Sequence, residues 1–339
     1  MRVLLPGIRP WRHDLTHCLH TTFGVLVGFY GLDPLHVLGA GWGFGYRLDD
    51  VRREEYYFPC LDGSLLAGLA PHHGLDSHWH EPEDAAHGWE QVRACVAAGQ
   101  PVAVAADNFH LPFRPAFSDV HTNHLLAVYG FDDEEGTVYV ADPVPPRFDG
   151  PITVDALTNA RDSNNPITHE RDMFFTANPI ANRWLTVELT GPQPTFDRDF
   201  VRRVLLSNLD GFARGKVEGP TMRGFAGLRE FLTACLPRIA DEPQRIDEVF
   251  IVAGVTLAIT GLHADFLADS GRRLGLPALV ELGRQVDRVA HHWTALRIGV
   301  ANSRSAPIDD LPALLRRGRN LVADQERVLD RMAQTAAQL

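Results

Sequence analysis

A cysteine, a histidine and an aspartate stand at positions from which they could act together. Cys18 follows two potential helix-capping residues, Asp14 and Thr16, and opens an apolar segment typical of a helix. A thiol in the first helical turn lies near unpaired backbone N–H groups and the positive end of the helix dipole, and both favour the thiolate. Cys18 is therefore a candidate nucleophile, although a cysteine in a helix is also commonly a small buried apolar residue.

The histidine and the aspartate belong to a predicted β-hairpin. Its strands, His124 to Phe131 and Thr137 to Ala141, are separated by the acidic turn DDEEG. If His124 and Asp142 are opposed, the centre of the hairpin falls at Asp133 and their Cβ atoms are about 5 Å apart. Asp142 would then orient the imidazole as a base for the thiol. A strand-edge histidine and a turn aspartate before proline are the structural alternatives.

These residues need elements that position them, and the first half of the chain mixes helix and strand signals. The helix opened by Cys18 is expected to reach Tyr30 and to end at Gly31, and Asp33-Pro34 opens a second short helix. The glycine-rich segment Gly39 to Tyr46 is expected to pack tightly beside the active site. Further predicted elements are helices near 83–98 and 154–160 and strands at 102–106 and 184–189.

Helical periodicity dominates after about residue 190. Helices are expected near 196–213, 221–238, 243–272, 277–298 and 309–337. The fourth has the clearest packing stripe, formed by Leu279, Leu282, Val286, Val289, Trp293 and Leu296. We therefore expect an α+β domain at 1–192, with its core at 10–145, followed by an all-α helical bundle at 193–339.

Composition limits the classes of function. The 339 residues are 45% apolar and 22% charged, which is typical of a globular protein. The amino terminus lacks the apolar region of a signal peptide, and no apolar stretch approaches the ~20 residues of a membrane helix, so a cytoplasmic protein without a membrane partner is expected. A net charge of −11 argues against nucleic acid and favours a cationic small molecule.

Metal and disulfide chemistry have weak support in the sequence. The four cysteines, at 18, 60, 95 and 235, form no CxxC pair, so neither a disulfide framework nor a thiolate zinc site is indicated. Sixteen histidines include groups near residues 13–20 and 72–80, but no HEXXH motif or completing carboxylate pattern accompanies them. We expect no metal.

Several motifs resemble one known family, the amino-terminal domain of the butirosin biosynthesis acyltransferase BtrH. They recur in the family's order over about the first 145 residues: HCLHTTFGVLVGFYG, GAGWGFGY, DNFHLPF at 107–113, HTNHLLAVYGFDD and VYVADP. The helices after residue 195 are similar to the helical region often fused to this domain, with less specific motifs. The resemblance implies a papain-like cysteine-protease fold, in which a central helix packs on an antiparallel sheet.

The resemblance also implies acyl transfer in natural-product biosynthesis, as in antibiotic pathways. Cys18 would take an acyl or aminoacyl group from a phosphopantetheine thioester on an acyl carrier protein, and an amine-bearing small molecule would then attack the acyl-enzyme to form an amide. His124 would deprotonate the thiol and then the amine, and no cofactor would be permanently bound. Hydrolysis as a peptidase or amidase, intramolecular cyclisation, and non-catalytic small-molecule binding are the alternatives. A homo-oligomer is compatible with the sequence.

Five residues are candidates for the oxyanion and substrate pocket. The backbone N–H of Cys18 is expected to be one oxyanion donor. Papain's glutamine has no counterpart, so Arg12, His13 or His17 could supply the second. Asp107 could bind the acceptor amine or cap a turn. His121 is the rival to His124 as base, but its position just before the strand favours a pocket residue.

Overall fold

The computed structural model describes residues 1–47, 64–168, 178–243, 245–303 and 307–339. The chain divides into two compact units, one formed by residues 1–34 and 75–190 and the other by residues 35–74 and 191–339. The first contains an antiparallel sheet and the second is mainly helical, so the predicted α+β class with a carboxyl-terminal helical region is confirmed. The predicted boundary at 192 lies close to the third point at which the chain passes between the units, at residues 190 and 191. Residues 35–74, however, belong to the second unit.

The first unit is built on a seven-stranded sheet with the order β3-β8-β4-β5-β6-β7, and β1 also pairs with β5. Every pairing is antiparallel. The strands are β1 (Arg2–Leu4), β3 (Leu75–His80), β4 (Val102–Asp107), β5 (Asn123–Asp132), β6 (Thr137–Asp142), β7 (Phe148–Thr153) and β8 (Trp184–Leu189). The helices of this unit are α1 (Cys18–Phe29), α4 (Ala85–Ala97) and α5 (Val154–Arg161). The hairpin strands, the strands at 102–106 and 184–189 and the three helices agree closely with the predictions, whereas β1, β3 and β7 were not predicted.

Helix α1 begins at the cysteine, and neither of the predicted capping residues is its N-cap. His17 is the N-cap, with extended backbone and no capping bond from its side chain. The Thr16 hydroxyl donates instead to the His13 carbonyl at 2.7 Å, which fixes the turn that leads into the helix. Leu19 to Val27 are all buried, so every face of this part of the helix is covered. Gly31, with φ of 77°, follows its end as expected.

The hairpin of β5 and β6 forms as predicted, but its register differs. Ala127 pairs with Ala141 and Val128 with Val140, whereas beyond Tyr129 the pairing shifts by one residue to Gly130 and Tyr139. A β-bulge at Tyr129 accounts for the shift. Continuing the register beyond Ala141 places Asp142 opposite Leu126. His124 and Asp142 are therefore diagonal neighbours, and the predicted direct opposition is wrong.

The second unit contains the glycine-rich segment Gly39 to Tyr46. The indole N–H of Trp42 donates to Thr260 Oγ1 at 3.2 Å, and the Trp42 backbone N–H donates to Asn208 Oδ1 at 3.2 Å. A Cβ on Gly39 would lie 2.7 Å from the Leu262 carbonyl oxygen, so this position requires the close approach of two backbones. These contacts explain why residues 35–74 group with the helical unit.

The other elements of the second unit are helices and a small sheet. Its three-stranded sheet has the order β2 (Gly45–Arg47), β10 (Thr221–Arg223) and β9 (Val217–Glu218). The helices are α2 (Pro34–Gly39), α3 (Leu65–Leu69), α6 (Arg198–Arg214), α7 (Gly224–Glu230), α8 (Arg245–Leu274), α9 (Pro277–Asn302) and α10 (Pro307–Ala336). The helix predicted at 221–238 is wrong in detail, since α7 is followed by a π turn at Phe231–Cys235 and a 3₁₀ turn at Leu236–Ala240.

The long helices of this unit pack through the predicted apolar stripe. All six residues of the α9 stripe are fully buried. Helix α8 is long and apolar enough to cross a membrane by length and composition, but 78% of its apolar window is buried inside the protein. Core helices commonly pass the same test.

Candidate active site

The amino-terminal end of α1 and the start of β5 place Cys18 beside His124. Cys18 is the first residue of the helix and is partly exposed. One helical turn later, the Thr22 hydroxyl donates to the Leu125 carbonyl at 2.9 Å, which fixes α1 against β5. The imidazoles of His124 and His17 lie close enough to the Cys18 thiol to stabilise its thiolate by hydrogen bonding and by charge. A residue at the helix start thus contacts a residue at the strand start.

The imidazole of His124 is held on its other side by a carboxylate. His124 Nε2 and Asp142 Oδ2 are 2.7 Å apart, and both side chains are almost completely buried. The other carboxylate oxygen, Asp142 Oδ1, accepts the backbone N–H of Val144 at 3.0 Å. Since Nε2 is engaged by Asp142, Nδ1 is the nitrogen that remains for the thiol. Although His124 and Asp142 are diagonal and not directly opposite in the hairpin, the imidazole is long enough to reach the carboxylate.

Arg114 completes this network, and the sequence gave no indication of its role. Its Nη1 donates to Asp142 Oδ2 at 3.3 Å and to the Val144 carbonyl at 3.0 Å. The Arg114 side chain is largely buried, and its cation is paired with the Asp142 carboxylate. Arg114 lies in a loop without periodic pattern, and its proximity to Asp142 depends on the tertiary fold.

The electrostatics of this group favour a thiolate and an imidazolium. Burial raises the pKa of the Cys18 thiol, but hydrogen bonds and charges from His124 and His17 outweigh it and lower the pKa to about 5. Burial lowers the pKa of His124, but the Asp142 charge, its hydrogen bond and Cys18 raise the pKa to about 9. Burial also raises the pKa of Asp142, whereas His124 and Arg114 bring that pKa below its ordinary value. Between pH about 5 and pH about 9, Cys18 is therefore a thiolate and His124 an imidazolium.

The three candidates for the second oxyanion donor have different surroundings. His17 contacts Cys18 and meets the ring of His20 edge-on at 4.6 Å. His13 uses its Nδ1 to accept the Leu15 backbone N–H at 3.3 Å. Arg12 forms an exposed ion pair with Asp14 at 3.4 Å. Of the three, His17 is the residue that the structure brings to the thiol.

Asp107 is enclosed and holds a second histidine. Its carboxylate is fully buried, and Oδ2 lies 2.6 Å from both His121 Nδ1 and Ser163 Oγ. Its Oδ1 accepts the backbone N–H groups of Phe109 and Thr122, each at 3.0 Å. With both oxygens engaged, Asp107 caps the turn and orients His121. This geometry favours the capping interpretation over direct contact with an acceptor amine.

His20 also lies in this region, and the sequence indicates it only as a member of the histidine group considered for metal binding. It is buried, and neither ring nitrogen has a hydrogen-bond partner in the described structure. Burial and the nearby His17 and His13 hold its pKa well below the ordinary value, so His20 is neutral. Its spacing of three residues from His17 on α1 was the available signal.

Metal ligation has no counterpart in the described part of the chain. Among residues 1–47, 64–168, 178–243, 245–303 and 307–339, no three His, Cys, Asp or Glu side chains are grouped so that they could hold a metal ion. One of the four cysteines, Cys60, lies outside the described residues.

The fold and these contacts define an α+β unit with a cysteine, a histidine and an aspartate at one edge of its sheet. The family model described as Butirosin biosynthesis protein H, N-terminal, matches residues 17–143, which include all three residues. The resemblance seen in the sequence motifs is thereby confirmed for this segment. The match points to an acyltransferase-like role in biosynthesis. None of the curated proteins matches this chain.

Proposed function

We propose that this protein is a cysteine-dependent acyltransferase that forms an amide through a Cys18 acyl-enzyme. The observation that carries the proposal is the contact of Cys18 with His124, whose opposite ring nitrogen is held 2.7 Å from Asp142. Nucleophile, base and orienting group stand in the order that such catalysis requires. The papain-like fold implied by the sequence motifs remains part of this proposal.

Acylation of Cys18 follows from the charged resting state. The thiolate attacks the thioester carbonyl of the donor, and the backbone N–H of Cys18 stabilises the oxyanion of the tetrahedral intermediate. The carbon–sulfur bond to the donor then breaks, and the departing thiolate takes a proton from the His124 imidazolium. This step leaves a Cys18 thioester and a neutral His124.

Transfer of the acyl group restores the resting state. An amine attacks the Cys18 thioester, and neutral His124 removes one proton from the attacking nitrogen as the carbon–nitrogen bond forms. The bond to Cys18 breaks, and the thiolate leaves beside the newly formed imidazolium. The products are an amide and the starting ion pair. The supporting observation is the pKa of His124, which Asp142 raises to about 9, so that the imidazolium is a stable end state.

The donor in this proposal is a phosphopantetheine thioester presented by an acyl carrier protein in the cytoplasm. Carrier proteins of this kind are acidic, and α6 carries three exposed arginines, Arg198, Arg202 and Arg203, that could meet such a partner. Replacing Arg202 with Glu should lower kcat/KM for a carrier-bound donor by about tenfold and leave a free pantetheine thioester unaffected. Equal effects on both donors would contradict the carrier-binding role of these arginines.

The experiment that tests the reaction measures product with an acyl pantetheine thioester and a primary amine. Wild-type protein should form the amide, and Cys18→Ala should form none above the uncatalysed rate. Cys95→Ala is the matched control, because Cys95 is also partly exposed on a helix but burial raises its pKa. Release of free acid at all amine concentrations would identify a hydrolase instead. Amide formation by Cys18→Ala would contradict the proposal.

A further inference from the structure

A second imidazole in the first unit is oriented by a buried carboxylate. Asp107 Oδ2 lies 2.6 Å from His121 Nδ1, so Nδ1 carries the hydrogen and Nε2 is the acceptor in the neutral ring. The ring of His121 stacks on Phe109 with centroids 4.1 Å apart and an interplanar angle of 10°. The side chain is still 12% exposed. His121 is thus a fixed base that is not fully enclosed.

The two histidine–aspartate pairs lie at the same edge of the sheet. Strand β4 ends at Asp107, and β5 begins opposite it, with Asp107 paired to Asn123 and Ala106 paired to His124. His121 stands two residues before the start of β5, and β6 ends at Asp142 on the other side of His124. Residues 107, 121, 124 and 142 therefore share the edge at which α1 delivers Cys18.

The proposed reaction needs a place for one more proton when the acceptor is a basic amine. An alkylamine has a pKa of about 10 in water, so near neutral pH it arrives as an ammonium ion. Amide formation removes two protons from that nitrogen, one before it can attack and one as the tetrahedral intermediate forms. His124 is neutral in the acyl-enzyme and takes up only one. A second proton acceptor at the same edge of the sheet would take up the proton that His124 cannot.

We propose that His121 is this second base, which acts when the acceptor arrives as a primary alkylammonium ion. The proposal rests on the proposed acyl transfer. Nε2 of His121 takes the first proton from the ammonium nitrogen, which frees its electron pair to attack the Cys18 thioester. His124 takes the second proton, the amide forms, and His121 later returns its proton to water. The acidic net charge of −11 favours the same cationic acceptor.

The test compares two amines with one preformed acyl-enzyme. Wild-type protein and His121→Gln are acylated with an acyl pantetheine thioester, and the acyl-enzyme is then mixed with a primary alkylamine or with hydroxylamine, which is largely uncharged near neutral pH. Glutamine retains an N–H donor for Asp107 but is not a base. We expect His121→Gln to slow alkylamine attack by about 100-fold and to leave attack by hydroxylamine unchanged. His87→Gln, at an exposed position on α4, is the control and should alter neither rate.

The outcomes separate this inference from the proposed function. Failure of wild-type protein to form any acyl-enzyme would refute the acyl transfer itself. An acyl-enzyme that reacts with both amines at wild-type rates in His121→Gln would overturn the role of His121 alone. An equal slowing with both amines would also overturn it, because it would indicate a structural role. Thermal unfolding of His121→Gln, followed by circular dichroism, checks that the variant is folded in each case.

Discussion

The charge of Asp142 should set the pKa of His124, and Asp142→Asn removes that charge with little change in shape. His124 Nε2 and Asp142 Oδ2 are 2.7 Å apart, which puts the centres of the two charges about 4 Å apart. At an effective dielectric constant of about 20 their attraction is about 4 kcal/mol. One pKa unit corresponds to about 1.4 kcal/mol, so the pKa of His124 should fall by about 3 units. The fall starts from a pKa of about 9 in the wild type.

In Asp142→Asn the remaining Arg114 cation acts in the same direction as the loss of the Asp142 charge, and both lower the pKa of His124. Arg114 loses its carboxylate partner in Asp142→Asn, and its cation then disfavours the imidazolium further. Lowering the pKa of His124 makes the ring neutral near neutral pH, and the Cys18 thiolate loses the positive charge that stabilises it. We expect the thiolate–imidazolium pair to persist over a much narrower pH range than the wild type, where it extends from about 5 to about 9.

The assay is a titration of the His124 imidazole by ¹H–¹⁵N NMR on histidine-labelled protein, with His124→Gln assigning the signal. Asp133→Asn is the matched control, because it removes a carboxylate from the turn of the same hairpin, where Asp133 pairs with Arg93. The control should leave the His124 pKa as in the wild type. If the pKa of His124 fell by less than one unit or rose in Asp142→Asn, the account of this ion pair would be refuted.

Two further predictions concern stability. Gly24→Ala should destabilise the protein by about 1–3 kcal/mol, because a Cβ at this position would overlap the indole of Trp11. Gly28→Ala on the same helix should stabilise the protein by about 0.5–1 kcal/mol, because its Cβ would make only an ordinary van der Waals contact and alanine favours the helix. Urea denaturation checks this pair, and equal effects would contradict the described packing. Arg114→Met should cost about 1–3 kcal/mol by leaving buried Asp142 with one partner fewer. The cost should shrink when Asp142→Asn is already present, and additive losses in a double-mutant cycle would argue against the ion pair.

The elements around the site were predictable because their signals are local. A cysteine before an apolar helical segment and two apolar strands around an acidic turn each depend on residues that are close in sequence. The same local signals identify Cys18, His124 and Asp142 as candidate site residues. The hairpin register was missed because direct opposition of His124 and Asp142 assumes a hairpin without a bulge, whereas Gly130, next to the bulge at Tyr129, is the kind of strand glycine that often marks one.

The missed features depend on contacts between distant parts of the chain. Arg114 meets Asp142 across 28 positions, and Trp42 bonds to Thr260 across 218. Neither contact leaves a periodic pattern in the sequence, so the buried cation and the grouping of residues 35–74 were not foreseen. The contact of Asp107 with His121 was missed for the same reason. The position of Asp107 in the sequence indicates a turn, but it does not indicate the 2.6 Å contact between its carboxylate and the imidazole.

The central claim is that Cys18 carries the acyl group, and intact-protein mass spectrometry tests it most directly. Wild-type protein and Cys95→Ala, incubated with an acyl pantetheine thioester without amine, should each gain the mass of one acyl group, and peptide mapping should place it on Cys18. Cys18→Ala should gain none, and added primary amine should remove the adduct from the wild type as amide. Equal labelling of Cys18→Ala, or an adduct on wild type that maps to another residue, would contradict the account.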